Sequence, residues 1–224
     1  MSPAARTRQA WTAPDIDNQR WPREMFRIDA AELSQRLLGR RLVRILDGGE
    51  RLSGRIVETE AYLGAQDLAA HCAGNRRTPR NESMYGPPGI AYVYFTYGMH
   101  HCVNVVCAEE GSPAAALIRA LAPEEGLDRM RHNRTGPRRA SPLRDHDLCS
   151  GPAKLCQALA IDRALDSADL VNGDRLFIEG ADAGSLFEQA EIANAARIGV
   201  DSAGSWAKAP LRWYVKHCPH VSRD

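Results

Sequence analysis

The chain has 224 residues, 44% hydrophobic and 25% charged, which is enough to bury one globular core without requiring two domains. No apolar run approaches the ~20 residues that span a bilayer, and the start MSPAARTRQAWTAPDID lacks the apolar stretch of a secretory signal. A cytoplasmic setting is therefore expected, and the net charge of +1 by itself argues nothing about nucleic acid.

Residues 1–20 read as a loosely held arm and 21–224 as a single domain. DAAELSQRLLG opens on Asp29 with Glu32 three residues later, then Leu33, Leu37 and Leu38 before Gly39. That is the pattern of a capping box, an amphipathic helix and a glycine stop. RRLVRIL follows as a strand, DGGE as a turn and RLSGRIVETEAYL as a long second strand. An irregular loop covers 64–89 and ends in GPPG. YVYFTYGMHHCVNV then alternates as two strands about a tight turn at Tyr97-Gly98-Met99. AAALIRALAP predicts a buried strand, and EEGLDRMRHNR a helix with acids in its first turn and bases in its last. SGPAKLCQALAI predicts a further helix, with Pro152 early in it. DRLFIEG, ARIGV and LRWYVKHC predict short strands. The expected architecture is one compact mixed α/β (α+β) domain: a curved, largely antiparallel sheet with flanking helices and a protruding β-hairpin.

Charge is segregated along the chain. CAGNRRTPRN carries Arg76, Arg77 and Arg80 without an acid, and MRHNRTGPRRASPLR carries Arg131, Arg134, Arg138, Arg139 and Arg144 without one. Such loops either build a basic face for a phosphate backbone or are merely solvated. The six cysteines form no CxxC pair, and His100-His101-Cys102 and His217-Cys218-Pro219-His220 do not converge on one metal, because adjacent strand residues point to opposite faces. Neither a metal nor a cofactor is expected.

VETEAY places Glu58, Glu60 and Tyr62 on one strand face. Two carboxylates and a phenol are expensive to bury unless paired or put to use. Three readings stand: a solvent face salt-bridged to arginine, a structural or charge-tuned buried pair, and a sugar hydrolase. The last needs carboxyls roughly 5–9.5 Å apart facing each other across one bond, whereas i and i+2 side chains stand parallel. Arg119, inside the apolar AALIRAL, needs an anionic partner, and Glu58 and Glu60 are the natural candidates. The hairpin tip raises a separate question, since tips are normally polar and this one carries Tyr97 and Met99.

Six stretches, GRIVETEAYLG, DLAAHCAGNRRTPRN, YVYFTYGMHHCVNV, LIRALAPEEG, GPAKLCQALAI and PLRWYVKHCPHVS, resemble the alkyladenine (3-methyladenine) DNA glycosylase family in its own order, from about residue 54 to 222. The resemblance implies a monofunctional base-excision enzyme acting, as a monomer, on double-stranded DNA that contains damaged purines. Abasic-site processing enzymes would act downstream, and no membrane is involved. It implies Glu60 as the general base activating a water and Arg119 as its partner. Tyr62, His71, Tyr94, Asn104 and Leu117 become the pocket for the extruded base, with Asn104 set against a 2-amino group. Tyr97 becomes a wedge in the duplex with Met99 beside it, and Arg76, Thr78, Arg80 and Lys154 become contacts to the DNA backbone.

On that reading the apolar tip faces the inside of a duplex. Base flipping costs a few kcal/mol, least at a damaged pair, and an inserted side chain holds the gap open. A cationic alkylated purine would gain from the faces of Tyr62 and Tyr94, so the pocket would select by charge. The start of the helix at Gly151-Pro152-Ala153-Lys154 suits a phosphate. A water nucleophile fits the placement of the lysines, which stand only at 154, 208 and 216. CAEEGSPAAA and His100-His101 depart from the family pattern as pictured from these motifs. A non-catalytic binder of damaged DNA remains the alternative, and a zinc deaminase signature is missing.

Overall fold

A computed structural model describes residues 15–96, 98–135, 143–180, 187, 188 and 191–223. The helices are α1 (Ala30–Arg36), α2 (Leu127–Thr135), α3 (Asp145–Leu148) and α4 (Pro152–Ala158). The strands are β1 (Arg41–Ile45), β2 (Arg51–Tyr62), β3 (Ala91–Thr96), β4 (His100–Cys107), β5 (Ala114–Glu125), β6 (Leu176–Glu179), β7 (Ile192–Ala195) and β8 (Arg212–Val215). They form one sheet in the order β3-β4-β5-β2-β1-β6, with β8 joined to β2 and β7 to β8. Every pairing is antiparallel, so the mixed α/β expectation holds.

The twelve-residue β2 organises this sheet. Along one edge it pairs with β5; along the other, Arg51–Arg55 pair with β1 while Glu58–Glu60 pair with β8. Register shifts lie at Ile56/Glu58 and Glu58/Thr59, where β2 passes from one partner to the next. Bulges of this kind re-aim side chains and are frequent beside functional sites.

Period-two alternation divides the two faces of the sheet. Val57 and Ala61 of β2, Val93 of β3, Val103 and Val105 of β4, and Ala116 and Ile118 of β5 all join the main hydrophobic core. Helices α1 and α4 cover that core, α1 against β2 and β5, α4 against β4 and β5. The intervening residues face the other way. There Tyr92, Val106 and Ala115 form a smaller cluster with Ala70, Cys72, Met84 and Ile90, against which Tyr62 and Tyr94 pack. The small cluster is the floor of the site.

Asp29 caps α1, accepting from the N–H groups of Ala31 and Glu32 at 2.9 Å each. Glu32 pairs with Arg36 one turn on, so only one side of the capping box forms. Glu124 and Glu125 lie in β5, not in the first turn of α2; they bond Arg41, Arg55 and Arg51 across the sheet. Three cross-strand arginines outweigh the helix-dipole preference that suggested otherwise. Pro123 sits inside β5, but β4 pairs with β5 only at Ala114–Leu117, so the proline lies where that edge is unpaired. ARIGV is a turn, not a strand; the strand is IANA just before it. A short apolar run with a glycine fits either state, and the Arg197 side chain is drawn inward.

All six cysteines are buried as free thiols. No described helix is long and apolar enough to cross a membrane. Of the expected arm, residues 1–14 lie outside the described residues, as do Tyr97, Arg138 and Arg139.

Candidate active site

The alternation on β2 and β5 brings Glu58, Glu60 and Arg119 together without solvent. Both glutamate side chains are completely buried, and Arg119 is nearly so. Arg119 Nε donates to Glu58 Oε1 at 3.0 Å, and Arg119 Nη1 lies 3.1 Å from Glu60 Oε1. The solvent-face reading of VETEAY is thereby excluded.

Each carboxylate has two partners on Oε1 and one on Oε2, but the partners come from different parts of the fold. Glu58 Oε1 also accepts from Arg212 Nη1 at 3.0 Å, while its Oε2 accepts the Ser222 N–H at 2.8 Å. It is a structural hub joining β2, β5, β8 and the C-terminal segment. Glu60 accepts the Ile198 N–H on Oε1 at 2.8 Å and the Tyr62 hydroxyl on Oε2 at 3.0 Å. Among the described residues Oε2 has no second donor, so it retains capacity to accept a proton or hydrogen bond. Burial pushes the Glu60 carboxyl above its ordinary range; Arg119, the Ile198 N–H and Tyr62 pull it down without cancelling that shift. Burial works against the Arg119 charge, yet Glu60 and Glu58 more than restore it.

Beside the pair lies a cavity of about 210 Å³, far above the ~10–15 Å³ that one water needs. Tyr62, His71, Tyr94, Asn104, Leu117 and Arg119 all line it, so the expected pocket residues converge from four parts of the chain. Glu60 does not reach the cavity wall; it sits behind Tyr62, Arg119 and Ile198, all of which do.

His71 and Tyr94 meet edge to face with ring centres 4.6 Å apart. His71 Nδ1 is 2.7 Å from the Tyr92 hydroxyl. Burial, with Arg80 and Arg76 nearby, lowers the His71 imidazole to about 4, so the ring is neutral near pH 7. Burial raises the Tyr62 and Tyr94 phenols, which keep their protons. Asn104 donates its amide N–H to the Tyr92 carbonyl at 3.0 Å, which leaves its amide oxygen as the acceptor for the cavity.

β3 and β4 form the expected hairpin. Gly98 adopts φ +70°, a left-handed turn conformation that glycine supplies without strain. Met99 is 71% exposed and Phe95 47%, large apolar groups in water at a tip. A second hollow beside this tip is lined by Met99, His100 and His101 together with Ala153, Gln157 and Ile161.

The candidate backbone contacts stand at the surface. Arg76 and Arg80 are exposed; Arg80 lies 5.5 Å from the Tyr94 ring centre and donates to the Phe95 carbonyl at 3.2 Å. Thr78 is half-buried, its hydroxyl donating to Asn81. Arg77 is committed to Glu82 and stacks on Tyr85. Lys154, in α4, has its Nζ 3.2 Å from Oγ of Ser150, which precedes the helix; α4 has seven residues, fewer than expected, and no side-chain cap at its start. Arg131, Arg134 and Arg144 of the second basic loop are each tied to local acids or carbonyls. The merely solvated reading fits those three better.

Sequence reasoning missed Arg197, Ile198, Asp67, Tyr92 and Arg212. The only local signal was an arginine within the otherwise apolar ARIGV, as with Arg119 in its own run. Among the described residues no cluster of three His, Cys, Asp or Glu could hold a metal.

Residues 24–219 match the model of the methylpurine-DNA glycosylase family. The chain is 46% identical to a DNA-3-methyladenine glycosylase of Mus musculus over 99% of its own length, and 48% identical to one of Homo sapiens over 89%. It spans 66% of the length of each of these mammalian relatives. It is also 43% identical to a putative 3-methyladenine DNA glycosylase of Desulfitobacterium hafniense, covering 91% of this chain and 98% of that one. The chain belongs to the methylpurine-DNA glycosylase family.

Proposed function

We propose that the chain is a base-excision repair DNA glycosylase for alkylated or deaminated purines, among them 3-methyladenine, 7-methylguanine, hypoxanthine and ethenoadenine. The observation that carries this is the buried Glu60 paired with Arg119, which lines a cavity walled also by Tyr62, His71 and Tyr94. The names of the mouse and human relatives point the same way.

In this reading the extruded purine enters the cavity and stacks on its aromatic walls, worth roughly 1–3 kcal/mol per base. Tyr97 takes the vacated place in the duplex with Met99 beside it, and Asn104 meets the edge of the base. A water attacks C1′ of the nucleotide, Glu60 takes its proton, and the purine leaves with the glycosidic electron pair. The Glu60 anion, held by Arg119, also offsets positive charge developing on the sugar. A neutral purine leaves only once protonated; an alkylated cation already leaves readily. The product is an abasic site. Among the described residues no lysine lines the cavity, which supports hydrolysis without a Schiff-base lyase step.

Arg76, Thr78, Arg80 and Lys154 hold the phosphate backbone and confer salt dependence rather than sequence choice. We read the enzyme as a cytoplasmic monomer that leaves its abasic product to separate processing enzymes.

The test is single-turnover base release from duplexes carrying each of the four lesions, by wild type and by Glu60→Gln. Release by wild type and its loss in Glu60→Gln, with lesion binding kept, is expected. Tight lesion binding without release by wild type would instead make the chain a non-catalytic binder of damaged DNA. Full activity in Glu60→Gln would remove Glu60 from the mechanism.

A further inference from the structure

Arg197 and Asp67 form an ion pair whose side chains are both completely buried. Arg197 Nη1 and Nη2 lie 2.5 and 2.8 Å from the two Asp67 oxygens, and Nη1 also donates to the Ala61 carbonyl at 2.8 Å. The guanidinium carbon is 4.8 Å from the centre of the Tyr62 ring. Tyr62 lines the cavity and Arg197 does not, so the cation lies over the ring without itself facing the cavity. Arg197 Nη2 also lies 3.5 Å from the Trp206 carbonyl, while Nε is buried with no hydrogen-bond partner among the described residues.

The pair is also linked to two other parts of the site. Asp67 accepts the Leu63 and Ala69 N–H groups at 3.1 and 3.0 Å, which fixes the loop leading to His71. Ile198, next to Arg197, gives its N–H to Glu60. Burying two charges so deeply is often no more stabilising than an apolar pair of the same size. Packing is therefore a poor reason for it.

A cation against one face of an aromatic ring draws π density toward itself and weakens the opposite face as a platform for a second cation. Tyr62 meets the cavity with its cation-binding capacity already engaged. We propose that Arg197, held by Asp67, is a specificity-determining positioning residue that lowers the preference of Tyr62 for positively charged bases and so lets the site take neutral lesions. This rests on the glycosylase reading above, and it modifies the expectation that the tyrosine faces select by charge.

The test is the ratio of single-turnover excision rates for 7-methylguanine, a cationic lesion, and hypoxanthine, a neutral one. It is measured in one buffer for wild type, Arg197→Lys and the double variant Asp67→Asn with Arg197→Gln. The double variant removes both charges while keeping hydrogen-bonding groups, and its ratio is expected to rise about five-fold. Arg197→Lys retains the charge and should restore the wild-type ratio. Should the double variant fail to fold, Asp67→Leu with Arg197→Met replaces the buried pair by apolar side chains of similar size and should raise the ratio likewise. An unchanged ratio, or an equal loss on both lesions, would overturn the proposal while leaving the glycosylase reading intact. Release of neither base by wild type would sink that reading, and this proposal with it.

Discussion

Ile198 and Glu60, 138 residues apart in the chain, are joined by a 2.8 Å hydrogen bond from the Ile198 N–H to Glu60 Oε1. With Arg119 on the same oxygen and Tyr62 on the other, the carboxylate is held in one orientation before any substrate arrives. Such preorganisation keeps the later chemical step from having to reorganise the site.

This arrangement has a cost in stability. Burial raises the Glu60 carboxyl above its ordinary value of 4.5, despite Arg119. The folded protein therefore holds that proton more tightly than the unfolded chain, and this contribution to stability fades as pH rises through the folded value. Glu60→Gln is expected to melt higher than wild type near pH 7, with the gap closing as pH falls toward 4.5, while excision drops ~10²–10⁴-fold. Thermal melts across that range check it; a Gln variant less stable than wild type near neutrality would contradict it.

Glu58 should behave in the opposite sense. Glu58→Ala leaves the buried Arg119 and Arg212 without a shared anion, a change that typically costs about 3–5 kcal/mol. Denaturant unfolding would measure this. A change below ~0.5 kcal/mol, the level of an ordinary surface substitution, would show that Glu58 is not the hub.

His71 is expected to titrate at about 4, down from 6.5, because of burial and the nearby Arg80 and Arg76. The unfolded chain then binds more protons between those values, so stability falls as pH drops through that window. A proton NMR titration of the ring tests this directly, and Arg80→Ala should move the midpoint upward. A wild-type midpoint near 6.5 would mean that the imidazole is solvated.

Neighbouring arginines should separate by salt dependence. Arg76→Ala and Arg80→Ala are each expected to reduce the slope of log affinity against log salt by about 1 for every lesion alike. Arg77→Ala should leave that slope unchanged, since Arg77 is already paired with Glu82. Equal slopes for all three variants would remove this loop from the DNA contact.

Much of the fold is legible because its signals are local. The Asp29 cap, the alternation in VETEAY and AALIRAL and the turn at Gly98 each depend on residues a few positions apart. The misreadings come from ambiguity at that scale. EEG suits a helix start until three arginines on β1 and β2 claim the glutamates. ARIGV has the composition of a strand until Asp67 binds its arginine.

By itself the sequence determined which side chains share a strand face, and so that Glu58, Glu60 and Tyr62 stand together with an arginine needing an anion. Its motifs also determined the family. Only the tertiary structure decided that Glu58 is tied to Arg212 and Ser222 while Glu60 is held by the cavity-lining Tyr62 and Ile198, and that Arg197 lies against the Tyr62 ring. Periodicity of a single strand is a local property of the backbone. A partner 130 or more residues away is chosen by sheet order and by the need to neutralise buried charge, which exist only once the chain has folded.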